Sequence, residues 1–383
     1  MSRCDVLVVG GGIVGLAIAR HLAGEGLAVT VIEKGDLGGG VTGASLACIG
    51  THMLDREELP LLRWSCEAWS RLEAETGRCV EYDRCGQLRF LLDARDLPIA
   101  QAWLDVERAH GLGPELLDAA EVRELEPLLE GPIVAATWSP DDAVVNPFFA
   151  TRAMATDAAR RGATILTATS VTRLRCENDR IAGVETTNGT ITAGHVVLAA
   201  GPWTARVART VGVELPIRPR KAQCLATTAL PPGTIRRVVG ACEAAAGVQA
   251  GYTQVQQARS GQILFNTVLA GGLAEPGAED RPARPDRRFV ADSIRTLLLL
   301  FPRLAGTHLL RSWVRFESVT PDDRFAIGAV GPDGLLVAAG CGGTGFVRAP
   351  AIGRLIADLV LDRAPAFATH LYDPARFRPD QAA

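Results

Sequence analysis

The stretch DVLVVGGGIVGLAIARHLAGEGLAVTVIEK, residues 5–34, restricts the fold more than any other. Residues 5–9 are an apolar run of the kind buried in a parallel sheet. Gly10, Gly12 and Gly15 follow in GxGxxG spacing and open a helical pattern through Ile13, Val14, Leu16 and Leu22. Gly24 and Gly26 end that helix, and a second strand, Ala28 to Ile32, finishes at Glu33. Gly10 permits the tight turn, Gly12 lets backbone approach a pyrophosphate, and Gly15 lets the helix pack on the strand. The helix N-terminus, with Ile13 and Val14 in its first turn, presents amide donors and a positive dipole to phosphates. Glu33 lies 18 residues beyond Gly15, near the ~20-residue spacing of a ribose-binding acid. Its charge disfavours a 2′-phosphate and so disfavours NADP, with Lys34 beside it in the same site.

The remaining totals narrow the class. The 383 residues suffice for two domains or one large one, and 48% hydrophobic composition supports a sizeable core. A net charge of −3, with scattered Lys and Arg, gives no basis for nucleic-acid binding. The nine cysteines contain no CxxC pair, so no metal site is expected. Their odd count and irregular spacing speak against a disulfide framework, and a reducing cytoplasm is the expected setting. No signal peptide is expected before the glycine turn, and the run LLLLF at 297–301 is too short to span a bilayer.

Two loops decide between NAD and FAD. After Glu33 comes KGDLGGGVTGASLACIG, where an NAD-binding unit would proceed to another helix. Its small residues, with Thr42, Ser45, Ala47, Cys48, Ile49 and Gly50, are placed to run beside a second part of an extended cofactor. The second loop lies in LLVAAGCGGTGFVRAPAIGRLIADLVL, residues 335–361. There an apolar strand meets Gly340, Cys341, Gly342, Gly343, Thr344, Gly345 and Phe346. The helix is expected to begin near Ala349, with Ile352, Leu355, Ile356, Leu359 and Val360 as its buried stripe. The second loop together with the N-terminal fingerprint favours FAD over NAD.

Elsewhere the pattern predicts helices over about 57–76, 95–110, 120–129 and 287–300, and strands within 81–93. Asn146-Pro147 reads as a helix start, Asn188-Gly189 as a hairpin turn, and HVVLAAG as a buried strand. The segment 271–286 reads as a polar surface loop. The expected fold is α/β, a Rossmann-like FAD-binding domain with a β-rich (α+β) substrate domain. The first comprises residues 1–80, 146–216 and 320–383; the second 81–145 and 217–319.

On these motifs the chain resembles the flavin-dependent amino-acid oxidoreductases of the D-amino-acid oxidase superfamily, over nearly its whole length. YTQVQQARSGQILFN at 252–266 and SWVRFESVTPDDRFAIG at 312–328 are most similar to the flavin subunits of opine oxidases and hydroxyproline or proline dehydrogenases. The resemblance implies a glycine oxidase-like fold. It implies that Val171 contacts adenine through its backbone and that Ala200, Gly201 and Trp203 approach the cofactor. It also places the second glycine loop by the flavin pyrimidine ring, where donors stabilise the anionic reduced flavin. The implied chemistry is oxidation of a C–N bond in an amino acid or secondary amine, with hydride passing from the α-carbon to flavin N5 and leaving an imine. The acceptor of electrons is oxygen, a quinone or a partner subunit. Two other readings stay open: a 2-hydroxy-acid dehydrogenase, and a flavin subunit active only in a heteromer.

Four positions depart from the relatives. Arg315 stands where monomeric sarcosine oxidase carries its flavin-linking cysteine, so FAD is expected to be noncovalent. Glu317 and Gln254 stand where glycine oxidase has a carboxylate-binding arginine and a tyrosine, and Val347 where sarcosine oxidase has a lysine. Strand alternation puts Trp313, Arg315, Glu317 and Val319 on one face. Arg315 is the candidate for the substrate carboxylate, as a bidentate donor. Glu317 either holds Arg315 or accepts from the substrate nitrogen, and the alternative for both is an edge-strand ion pair. His52 either tunes the flavin, contacts substrate, or is structural; Cys48 is expected to pack against the flavin.

Overall fold

The computed structural model describes residues 2–52, 54–242, 253–266 and 272–377. Tyr252 of the 252–266 motif and Gly271 of the 271–286 loop lie outside the described residues. β1 (Ser2–Val9) passes through the glycine turn into α1 (Ile13–Gly24) and returns as β2 (Val29–Ile32). β3 (Cys48–Ile49) and α2 (Leu59–Thr76) follow, then β4 (Gln87–Leu91), α3 (Leu97–Ala109) and β5 (Glu115–Asp118). Next come α4 (Ala119–Leu125), β6 (Ala135–Ser139), β7 (Ala143–Val144), α5 (Pro147–Arg160) and β8 (Thr164–Leu166). β9 (Val171–Glu177), β10 (Arg180–Thr186), β11 (Gly189–Leu198) and α6 (Thr204–Arg209) lead to β12 (Arg218–Ala229). β13 (Val238–Ala241), β14 (Gln254–Gln257), β15 (Gln262–Asn266) and α7 (Arg287–Leu300) precede β16 (Leu309–Val319). β17 (Ala326–Ala329), β18 (Leu335–Ala339) and α8 (Gly345–Val360) complete the described elements.

Two large sheets result. The first runs β17-β18-β11-β1-β2-β8, with the β9–β10 hairpin on β11. Its core strands are parallel and β1 lies at the centre, which explains the unbroken apolar run of residues 6–9. Successive side chains of β1 point to opposite faces. Val6 and Val8 pack under α1 and α8, with Ile18, Leu22, Ile352 and Leu355. Leu7 and Val9 pack on the other side with Leu174, Val184 and Ala205. The contact of α1 with α8 is close enough that a Cβ on Gly353 would lie 2.7 Å from the Ala17 carbonyl oxygen.

The second sheet runs β16-β12-β15-β14-β13-β4-β6-β5 and draws its strands from residues 87–139 and 218–319. Its register produces two different faces. One row reads Leu225, Phe265, Val255, Val239, Leu88 and Trp138 across six strands, each opposite the next. Phe289, Leu297 and Leu300 of α7 close over that row. One residue along each strand, the opposite face carries Asn266, Gln254, Gly240, Arg89 and Thr137 in a row of cross-strand partners. An apolar face must be covered, whereas this polar face is free to line a cavity.

Two expected boundaries shift. α8 begins at Gly345, four residues before Ala349, so Pro350 lies inside the helix. The missing proline donor removes one early helical bond, and the first turn is held from outside instead. Ser65 Oγ and Trp69 Nε1 donate to the Val347 carbonyl at 2.6 and 3.0 Å. α4 stops at Leu125 rather than near 129, because Glu126 precedes Pro127 and that position disfavours helical backbone.

Phe265 is 1% exposed in the centre of the apolar row. Phe265→Ala is expected to cost about 3–5 kcal/mol in urea unfolding, whereas Leu310→Ala, on an exposed leucine of β16, should stay within about 0.5 kcal/mol.

Candidate active site

A groove of about 450 Å³ runs from the first glycine loop to the second. Gly10 has φ +118°, and a Cβ there would lie 2.4 Å from the Ala199 oxygen. A Cβ on Gly15 would lie 2.0 Å from the Gly10 oxygen, so helix and turn touch backbone to backbone. Gly12 differs: a Cβ there would meet only Thr42 Oγ1, at 3.2 Å, and would otherwise project into the groove. That open side leaves room for a pyrophosphate to approach the backbone. Thr42 Oγ1 accepts from the Ile13 amide at 3.0 Å, and the amides of Val14 and Gly15 have no acceptor within the helix's own first turn. Gly15 itself is buried behind the turn.

Glu33 ends β2 at the groove's edge. Its carboxylate accepts from the Gly11 amide at 2.8 Å and the Gly35 amide at 2.9 Å. Two bonds leave acceptor capacity for ribose hydroxyls. Lys34, Thr42, Ser45, Val171, Ala200, Gly201 and Trp203 also line the groove. At the far end stand Gly342, Gly343, Gly345 and Phe346.

Besides Gly15, two expected cofactor contacts line neither cavity. Gly340 lines neither cavity; its φ of +81° makes the turn, and a Cβ would meet the Thr320 methyl at 2.7 Å. Ile49 is 1% exposed in the core with Leu62 and Trp69. It points inward because β3 alternates, leaving Cys48 toward the cavity.

The segment that reads as a surface loop reaches the groove. Asp280 accepts from Trp203 Nε1 at 2.7 Å, pairs with Arg206 and lies 3.8 Å from Lys34 Nζ. Lys34 sits 3.4 Å over the Trp203 ring. The Arg206 and Trp203 donors hold the Asp280 carboxyl below its ordinary range. Asp280 is therefore a clasp across the groove wall, formed by contacts 74–77 residues apart, and no local pattern marks it.

A second cavity, about 580 Å³, shares Val41, Ser45, Cys341, Gly342, Gly343 and Phe346 with the groove. Its floor is the polar face of the second sheet, including Gln87, Arg89, Gln254, Asn266 and Arg315. The small-residue loop is fastened to this floor. Trp313 Nε1 donates to the Ala44 carbonyl at 3.0 Å, and Gln256 Nε2 to that of Leu46 at 2.7 Å. Ala47 takes a left-handed φ of 53°, held by its amide bond to Ser45 Oγ at 2.9 Å. Ala47, Cys48, Gly50 and Thr344 line this cavity rather than the groove. Burial pushes the Cys48 thiol well up, so it stays protonated and packs as an inert group.

Arg315 is exposed on this floor. Its Nη1 donates to the Val314 carbonyl at 2.9 Å, and it has no acidic partner among the described residues. Glu317 does not hold Arg315. Its Oε2 accepts instead from Arg220 at 3.0 and 3.2 Å. The register sets Arg220 directly opposite Glu317, and directly opposed residues are closer than residues two apart along one strand. Burial raises the Glu317 carboxyl, and Arg220 acts against that rise.

His52 lines the cavity but is buried. Its Nδ1 pairs with Glu107 Oε2 at 2.9 Å and its Nε2 lies 2.7 Å from Thr137 Oγ1. Both ring nitrogens are engaged, so His52 braces the wall and has no free nitrogen for a substrate. The next support is Asp142, whose Oδ1 accepts from the Thr51 amide at 3.2 Å and Ser139 Oγ at 3.0 Å. A Cβ on Gly50 would lie 2.1 Å from Asp142 Oδ2, so Gly50 makes room for that carboxyl. Arg348, buried in α8, pairs with Glu58 and ties the segment before α2 to the second loop.

The family model for FAD dependent oxidoreductases (DAO) matches residues 5–359. The chain belongs to this family, and FAD is the cofactor that the groove suits. It is 30% identical to 4-methylaminobutanoate oxidase (formaldehyde-forming) of Paenarthrobacter nicotinovorans over 99% of the chain and 46% of that protein. The chain thus spans about half the length of that and similar curated relatives. Among solved structures, L-proline dehydrogenase from P. horikoshii matches with TM-score 0.90 and 30% identity, covering 98% of each chain. Glycine oxidase from Geobacillus kaustophilus matches with TM-score 0.86 and 26% identity, over 99% and 100% of the two chains. The resemblance read from the sequence and its glycine oxidase-like fold are borne out. Among the described residues, no helix is long and apolar enough to cross a membrane.

Removing the clasp should loosen the cofactor. Asp280→Ala is expected to speed FAD release about tenfold on dilution, followed by recovery of flavin fluorescence, with the unfolding midpoint of the apoprotein unchanged.

Proposed function

We propose that this chain oxidises the C–N bond of an amino acid or secondary amine bearing a carboxylate. Support comes first from Arg315, a guanidinium in the cavity beside the cofactor groove with no acidic partner among the described residues. Its planar donors suit a carboxylate bidentately. The names of the relatives agree: methylaminobutanoate, proline and glycine each carry an amine and a carboxylate. A proline, hydroxyproline or opine-type substrate fits the same reading. Segments 81–145 and 217–319 would act as the substrate-side domain.

Bound FAD supplies the hydride acceptor, and the groove residues Gly12, Ile13, Val14 and Glu33 would hold it. The chain's own work is then positioning. Arg315 anchors the carboxylate, Trp313 pins the small-residue loop against the floor, and the rigid sheet holds the α-carbon toward the groove. No strong base is required beyond removal of the ammonium proton. Glu317 Oε2 is taken by Arg220, which leaves Oε1 as the acceptor for the substrate nitrogen. The rival hydroxy-acid reading needs a base for the hydroxyl proton, and its candidate, His52, has both nitrogens engaged.

Arg315→Ala should raise KM for a carboxylate substrate roughly tenfold to a hundredfold, as loss of charge-assisted bonds worth about 1.5–3 kcal/mol implies. FAD retention should stay the same; unchanged KM would remove Arg315 from the site. Anaerobic bleaching of the flavin band by a panel of amino acids, secondary amines and 2-hydroxy acids tests the reaction class. Bleaching by hydroxy acids alone would refute it. Repeating turnover with oxygen, a quinone or a dye identifies the acceptor, and turnover only with an added partner subunit marks a heteromeric enzyme.

A further inference from the structure

We propose that Arg220 and Glu317 are an electrostatic tuning pair for the redox end of the FAD groove, Arg220 favouring the reduced cofactor and Glu317 the oxidised one. This rests on FAD binding and not on the identity of the substrate. Groove and cavity share Cys341, Gly342 and Gly343, so the group that exchanges electrons with a substrate must lie along this loop. The pair lies against the same loop. A Cβ on Gly342 would be 3.4 Å from Arg220 Nη2, and one on Gly343 would be 3.1 Å from Glu317 Oε1. Ser318, next to Glu317, latches the loop in place: its carbonyl accepts from the Gly342 amide at 2.7 Å and its Oγ from the Gly340 amide at 3.3 Å. The charges therefore keep a fixed distance from the loop.

Their shielding is unequal. The side chains of Arg220 and Glu317 are 14% and 15% exposed, whereas Asp323, which meets Arg220 at 3.1 Å, is 68% exposed. Water and salt screen Asp323 and act far less on the inner pair. Adding two electrons and one proton to a flavin leaves one new negative charge. A fixed cation lowers the energy of that state and a fixed carboxylate raises it. Stability alone gives little reason for the pair, since a semi-buried ion pair is often no better than an apolar one. The register of β12 against β16 sets the two side chains opposite each other, so each also holds the other in position.

The test is the reduction potential of the FAD-loaded full chain, measured by dye equilibration without substrate. Arg220→Met should lower the potential and Glu317→Gln should raise it. Each shift should be at least tenfold in the equilibrium constant, about 30 mV for a two-electron couple. Arg220→Lys should restore most of the wild-type value, and Asp323→Asn should shift it less than Glu317→Gln does. Loss of packing alone would not produce shifts of opposite sign. If Arg220→Met does not retain FAD, Glu317→Gln and Arg220→Lys carry the test. Shifts of one sign, or an unchanged potential in Glu317→Gln, would overturn the proposal. A failure to find an amine substrate would leave it standing.

Discussion

The contact of Gly15 with the carbonyl of Gly10 is the constraint on which the rest is built. Helix α1 leaves the central strand so closely that no side chain fits between them. This brings the N-terminus of α1 to the rim of the sheet, with Gly12, Ile13 and Val14 lining the groove. It also sets the plane against which α8 must lie, and Gly353 allows α8 the same close approach to α1 at Ala17. The two glycine loops end up at opposite ends of one groove because the strands preceding them, β1 and β18, both pair in parallel with β11.

The second sheet contributes through its asymmetry. Burying the row from Leu225 to Trp138 under α7 supplies the driving force for its folding. The same period of two then delivers the polar row to the second cavity without further cost in pattern. On that face Arg220 is paired with Glu317, and across the same cavity Arg348 of α8 is paired with Glu58. Arg315 stands apart, and an arginine held without an acid in a cavity wall is a group available to a ligand.

Much of the nucleotide half was legible in the sequence. Gly10, Gly12, Gly15 and Glu33 act through local geometry, so their spacing carries their roles. The small-residue loop lines the groove at Thr42 and Ser45 and the second cavity at Ala47, Cys48 and Gly50, while Ile49 packs into the core. Along β16, alternation correctly put Trp313, Arg315 and Glu317 on one face. What alternation could not reveal was the partner of Glu317, because Arg220 is 97 residues away and meets it only through strand register. Glu107 and Thr137, which engage His52, and Asp280, which clasps Trp203, were hidden in the same way.

The sequence by itself determined the dinucleotide turn, the alternation of faces and the family, because each depends on neighbours within a few residues or on a motif read in order. Only the tertiary structure decided which charges are spent and which are free. That depends on pairings between strands distant in the chain, and side chains that look equivalent in sequence, such as Arg220 and Arg315, are separated in role by which carboxylate the register places within reach.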